Sequence, residues 1–134
     1  MIGAVTLHIG GRDRIIQGGP FDDYQPPAIG VCLDVQSRKV GEAALVLPLA
    51  DFTAPSAAAL AAWLDVLMKL MAERPALPVY IGCRAGIGRT GMMIAALAKI
   101  ALHADPVGWV RANYHPHAVE TAEQHAAVAA FSLS

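Results

Sequence analysis

Apolar residues along this chain first come in short stretches, then in a continuous run, then at helical spacing, and that order predicts a layered α/β arrangement. Residues 5–9 and 14–16 are short apolar stretches around Gly10-Gly11-Arg12-Asp13, the pattern of a starting hairpin or of two edge strands. Gly18-Gly19-Pro20 is expected to break the chain and to open a loop over residues 21–27 that carries Tyr24. Residues 28–35 predict the next strand, with Cys32 inside it. Residues 44–49 are continuously apolar between Glu42 and Asp51, which suits a buried parallel strand.

The second half of the chain changes period. Asp51-Phe52-Thr53-Ala54-Pro55-Ser56 predicts a loop leading into a helix, with Thr53 or Ser56 as cap and Pro55 tolerated in the first turn. Leu60, Leu64, Leu67, Met68 and Met71 form the apolar stripe of that helix, while Asp65, Lys69 and Glu73 recur on another face and Pro75 ends it. Pro78 starts a further strand. Residues 90–103 are apolar nearly all round apart from Lys99, so that helix is expected in the middle of the domain. Asp105-Pro106 opens another helix, running to about Asn113. After the Tyr114-His115-Pro116-His117 turn, Thr121-Ala122-Glu123-Gln124 has the form of a capping box before the last helix.

Size and charge narrow the picture. A chain of 134 residues with 55% hydrophobic residues and 16% charged ones is enough for one packed domain over residues 1–134 and too short for two. The expected fold is a single-domain α/β sandwich with a small, mostly parallel central sheet flanked by helices. A net charge of −1 gives no basic surface for nucleic acid or an anionic membrane. Residues 1–11 lack the basic start and long apolar core of a signal peptide, and no apolar run reaches membrane-spanning length, so a cytoplasmic location is expected. Two cysteines, Cys32 and Cys83, do not make a disulfide framework. The five histidines show no metal-ligand spacing, and no cofactor is implied.

The chemistry concentrates in residues 79–91. A buried strand runs into a tight loop with Cys83 at its start and Arg89 at its end, a Cys-x5-Arg spacing closed by Thr90, and then into a helix. Such a loop turns successive backbone N–H groups inward at a helix N-terminus and can hold a phosphate, here through Arg84, Ala85, Gly86, Ile87, Gly88 and Arg89. A thiolate below the phosphorus and a guanidinium on its oxygens make a covalent phosphoryl-transfer site. The leaving oxygen needs a proton, so a carboxylic acid should approach on a loop. Asp51, at the end of a predicted strand and 32 positions before Cys83, is the candidate; Asp34 is its competitor.

Cys83-x-x-Gly86-x-x-Arg89-Thr90-Gly91 resembles the signature of the protein tyrosine phosphatase superfamily, His-Cys-x5-Arg-Ser/Thr-Gly, and in particular its compact dual-specificity branch with cell-division-cycle and phosphoinositide-type members. The resemblance implies a dual-specificity-phosphatase-like fold and a phosphocysteine intermediate on Cys83. It implies that Thr90 donates to the departing sulfur, and it supports Asp51, since Asp-x-x-x-Pro-Ser is similar to the acid loop of the cell-division-cycle branch. It further implies that Gln124, in Thr-x-x-Gln, or Glu120 lies near the attacking water. Cys32 corresponds to a cysteine that pairs reversibly with the nucleophile in some lipid-phosphatase members. Arg84 adds a cation to the loop, as phosphoinositide members do, although their second basic position is Ile87 here. The partner implied is a phosphorylated protein or a small phosphomonoester, with phosphoinositides and metabolites as alternatives. One position departs: the family His is Gly82.

Two rival readings use the same letters. Gly86-x-Gly88-x-x-Gly91 satisfies a dinucleotide fingerprint, but it falls late in the chain and helices follow it where a second strand and an acidic ribose ligand should stand. Because Gly82 replaces the family His, the loop could also belong to a phosphate-binding module with weak or no turnover.

Overall fold

A computed structural model of the chain describes residues 1–133. Its sheet has five strands. β1 (Gly3–Ile9) and β2 (Arg12–Pro20) form an antiparallel hairpin around Gly10 and Gly11, both at positive φ. β5 (Val79–Cys83) lies between β2 and β3 (Ile29–Cys32) and is parallel to both. β4 (Leu45–Val46) pairs in parallel with β3 at the edge. The strand that delivers the loop is therefore the central one.

Alternation along these strands sorts the side chains to two faces. Leu7, Ile16, Ile29, Val31, Val79 and Ile81 join one apolar cluster with the buried residues of all four helices. The opposite face is covered by Phe21, Tyr24, Ala28, Cys32 and Tyr80, with the 3-10 turn at Phe21–Asp23 lying against β5.

α1 (Ala57–Glu73) begins at Ser56, whose side chain accepts from the Ala59 N–H at 3.1 Å, and buries Leu60, Leu64, Leu67 and Met71. Its C-terminal end is closed by Arg14 from β2, which donates to the carbonyls of Met71, Arg74 and Leu77 at 2.8, 3.1 and 3.1 Å. α2 (Gly88–Ile100) is buried on every side over its first eleven residues, as its composition predicts. α3 (Pro106–Asn113) is capped by Asp105, which accepts from the Gly108 N–H. α4 (Ala122–Ala130) is capped by Thr121. Among the described residues no helix is long and apolar enough to cross a membrane.

Two sequence expectations are corrected. Gly18-Gly19-Pro20 does not break the chain: β2 runs through it, pairing Gly18, Gly19 and Pro20 with Ile81, Gly82 and Cys83. The glycines mark close approach instead, since a Cβ at Gly18 would stand 2.4 Å from the Tyr114 hydroxyl. Residues 44–49 are not a buried strand. Only Leu45 and Val46 pair, at the sheet edge, and Val46 is 39% exposed; among the described residues no strand pairs beyond β4.

Candidate active site

β5 ends at Cys83, and residues 84–87 turn the chain into α2. Gly86 takes φ +79°, and its backbone lies so close to Gly19 that a Cβ would come 2.2 Å from the Gly19 carbonyl carbon. Only glycine fits there. The bend aims the Gly86 N–H at the Cys83 sulfur, 3.2 Å away, and the first turn of α2 brings the Thr90 hydroxyl to the same sulfur, also at 3.2 Å. Cys83, 3% exposed, thus faces two donors that complement negative charge on sulfur. Arg84 and Ala85 are exposed on the loop, Gly86 and Gly88 are buried, and Ile87 is half-buried.

Arg89 is 5% exposed. Its Nη1 donates to the Leu49 carbonyl at 2.6 Å and to the Leu33 carbonyl at 3.5 Å, which fixes the guanidinium beyond the ends of β3 and β4. Its Nε is buried with no hydrogen-bond partner, and the nearest charge is the Asp51 carboxylate, with Oδ1 3.6 Å away. That separation is longer than a hydrogen bond, so the Nε is a buried donor held beside a carboxylate without a hydrogen-bond acceptor.

Asp51 stands in a turn closed by the Thr53 N–H on the Ala50 carbonyl at 3.1 Å, and its side chain is 49% exposed. Phe52 follows it at φ +63°, 58% exposed, a backbone position that favours glycine or asparagine. Asp34, Gln36, Leu49, Asp51, Arg84 and Arg89 line an open cleft of about 450 Å³. Both candidate carboxylates therefore face the cleft, and each accepts a backbone N–H, Asp34 from Gln36 at 3.1 Å and Asp51 from Phe52 at 3.0 Å; Asp51 differs in being ion-paired with Arg89.

The remaining predicted residues divide. Gln124 is fully buried; its Oε1 accepts from the Glu120 N–H at 2.8 Å and its Nε2 donates to the Thr53 carbonyl at 3.3 Å. It therefore ties α4 to the loop that carries Asp51. The capping box is half as expected, since the Thr121 hydroxyl accepts from the Gln124 N–H while the reciprocal bond goes to Glu120 instead of Thr121. Glu120 is exposed, and its carboxylate lies where a Cβ on Gly88 would be, against the start of α2. Cys32 is not brought to Cys83. It pairs in register with Gly82, so its side chain points to the Phe21 face, where its thiol donates to the Asp34 carbonyl at 3.1 Å, while Cys83 points to the helical face. Thiols whose Cβ vectors diverge do not bridge without backbone movement. Burial, opposed by the Asp34 backbone bond, pushes the Cys32 thiol above its ordinary pKa.

Gly82 now has an explanation. Its missing side chain would point at the 3-10 turn, where a Cβ would stand 2.7 Å from both the nitrogen and the Cα of Phe21. A histidine has no room. Two features escaped the sequence reading. Tyr114, taken there only as a turn residue, donates its hydroxyl to the Gly86 carbonyl at 2.5 Å. The Leu33 and Leu49 carbonyls that hold Arg89 are backbone groups, which leave no side-chain signal.

Comparison with known proteins gives concordant results. A family model described as "Polymorphic toxin system, DSP-PTPase phosphatase" matches residues 21–101. No curated protein matches the chain. Among solved structures, Tk-PTP in its active form is 27% identical over 92% of this chain and 93% of its own, with a TM-score of 0.61. A glycine-to-alanine variant of Tk-PTP is 26% identical over 92% and 91%, with a TM-score of 0.64. Kinase associated phosphatase, crystallised with its catalytic-site cysteine replaced by serine, is 13% identical over 95% and 92%, with a TM-score of 0.64, a likeness of fold.

Proposed function

The chain belongs to the DSP-PTPase phosphatases of polymorphic toxin systems, and from that premise we propose that it hydrolyses phosphomonoesters through a phosphocysteine on Cys83. The buried Nε of Arg89, without a hydrogen-bond acceptor and 3.6 Å from the Asp51 carboxylate, carries the reading, because it is a donor held ready for an oxyanion in the cleft. In the first step the Cys83 sulfur attacks phosphorus, the S–P bond forms and the P–O bond to the leaving group breaks. Asp51 gives the leaving oxygen its proton, and Arg89 with the loop N–H groups stays on the equatorial oxygens. In the second step water attacks phosphorus, Asp51 takes a proton from it, and the S–P bond breaks with its electron pair returning to sulfur. The Thr90 hydroxyl, already 3.2 Å from that sulfur, stabilises it as it leaves. Inorganic phosphate is the product. In this reading Glu120, whose carboxylate lies against the start of α2, orients the water, and Gln124 acts through the Thr53 carbonyl on the loop that carries Asp51.

The substrate class proposed is a phosphorylated protein. The cleft is open rather than deep, which suits phosphotyrosine as well as phosphoserine or phosphothreonine, and Arg84 on its wall favours neighbouring negative charge. The family's description supports a role within a polymorphic toxin system. Hydrolysis of an aryl phosphate by the wild type and by Cys83→Ser tests the mechanism: the variant should be inactive, and equal rates would leave a phosphate-binding module. The same wild-type sample, assayed on phosphopeptides and on phosphoinositides, tests the substrate class, with preference for the lipid headgroup overturning it.

A further inference from the structure

A phosphate loop has two sides. Its N–H groups converge on the anion, so its carbonyls point outward and each needs a donor from the surrounding protein. In a trans peptide the C=O and the following N–H point in opposite directions, so holding a carbonyl outward also holds the next N–H inward. The peptide between Gly86 and Ile87 is the one where such a hold matters most, because Gly86 at φ +79° has no Cβ to resist rotation.

That carbonyl has a dedicated partner. The Tyr114 hydroxyl, at the C-terminal end of α3, donates to it at 2.5 Å, while the Gly86 N–H donates to the Cys83 sulfur at 3.2 Å. Gly86 is thus pinned at both ends, one to the nucleophile and one to Tyr114. The ring reaches this point only because Gly18 in β2 leaves space, its would-be Cβ lying 2.4 Å from the Tyr114 hydroxyl oxygen. Burial, reinforced by the charge of Cys83, raises the phenol's pKa, so the hydroxyl remains a donor. The geometry points to Tyr114 as a positioning residue of the phosphate loop: by holding the Gly86 carbonyl outward it keeps the Ile87 N–H turned toward the bound phosphate. The inference rests on the phosphatase reading above.

Tyr114→Phe keeps the ring against Gly18 and deletes the donor. Vanadate inhibition, aryl phosphate kinetics and thermal unfolding are measured on wild type, Tyr114→Phe and Val110→Ala, the last a loss of core packing in the same helix. A positioning role predicts that Tyr114→Phe weakens vanadate affinity and kcat/KM together by about tenfold, about 1.4 kcal/mol, the scale of one hydrogen bond to a charged group. Val110→Ala should melt lower and keep its vanadate affinity. Unchanged vanadate affinity in Tyr114→Phe, or an equal loss in Val110→Ala, overturns the inference. An inactive wild type overturns the phosphatase reading instead.

Discussion

Restoring the family histidine at position 82 should damage this enzyme. The perturbation begins at the first atom added. A Cβ on Gly82 would sit 2.7 Å from the backbone nitrogen and Cα of Phe21 and 2.8 Å from its Cβ, well inside contact distance. Neither side can yield cheaply. Gly82 is paired with Gly19 on one flank and Cys32 on the other, so β5 is fixed by both neighbours. The Phe21 turn is anchored by a fully buried ring stacked on Tyr24, with centroids 5.1 Å apart and planes 6° from parallel, and by the Ser37 hydroxyl on Asp22 at 2.7 Å. Overpacking of this kind costs about 1–3 kcal/mol. For a chain of this size that is a fall in Tm of roughly 4–12 °C. Gly82→Ala should show most of the effect, and Gly82→His should be worse because its ring must also displace the aromatic cluster. Cys83 is the next residue, so kcat/KM should fall as well. Thermal unfolding and aryl phosphate hydrolysis of both variants check this. A Gly82→His protein that melts with the wild type and turns over faster would refute the packing argument and show that the histidine's absence is a handicap.

Two further outcomes follow from the same geometry. Asp51→Asn removes the proposed proton donor while sparing the phosphate contacts, so hydrolysis of esters with poor leaving groups should fall roughly a hundredfold or more, with vanadate affinity retained. A parallel loss of both would mean that Asp51 acts by holding Arg89 and not by proton transfer. All three tyrosines are pushed above their ordinary pKa of 10, each chiefly by burial, Tyr80 up to about 12 with Asp23 and Cys83 adding to the shift. A group raised in this way binds its proton more tightly folded than unfolded, so its stabilisation is complete below pH 10 and is lost as pH climbs toward 12. Spectrophotometric titration of the folded protein should therefore show no tyrosinate step at the ordinary value, and Tyr80→Phe should reduce the alkaline loss of stability by on the order of 2 kcal/mol.

The helices and the loop were legible because their signals are local. Ser56, Asp105 and Thr121 cap by side chains three residues from their partners, and the Leu60, Leu64, Leu67, Met71 stripe is set by helical period alone. Cys83 and Thr90 are likewise close in sequence and brought together by one turn. The sheet was harder. Gly18-Gly19-Pro20 carries the local signal of a break, yet Tyr114, 96 positions later, fills the space over Gly18 and the strand continues.

The loop glycines make the same point about chemistry. As letters, Gly86, Gly88 and Gly91 also spell a nucleotide fingerprint, in which the residues serve a tight turn, a pyrophosphate and helix–strand packing. Here a Cβ on each would meet a different protein neighbour: Gly19 at 2.2 Å, the end of the Glu120 side chain at 1.8 Å and Ala118 at 2.4 Å. All of these neighbours are more than two dozen positions away in sequence, so the pattern cannot reveal what it is for. The side chains between the glycines decide. Cys83 puts at the start of the loop a thiol that dinucleotide binding does not need, and Arg89 brings to the cleft a buried Nε with no hydrogen-bond acceptor.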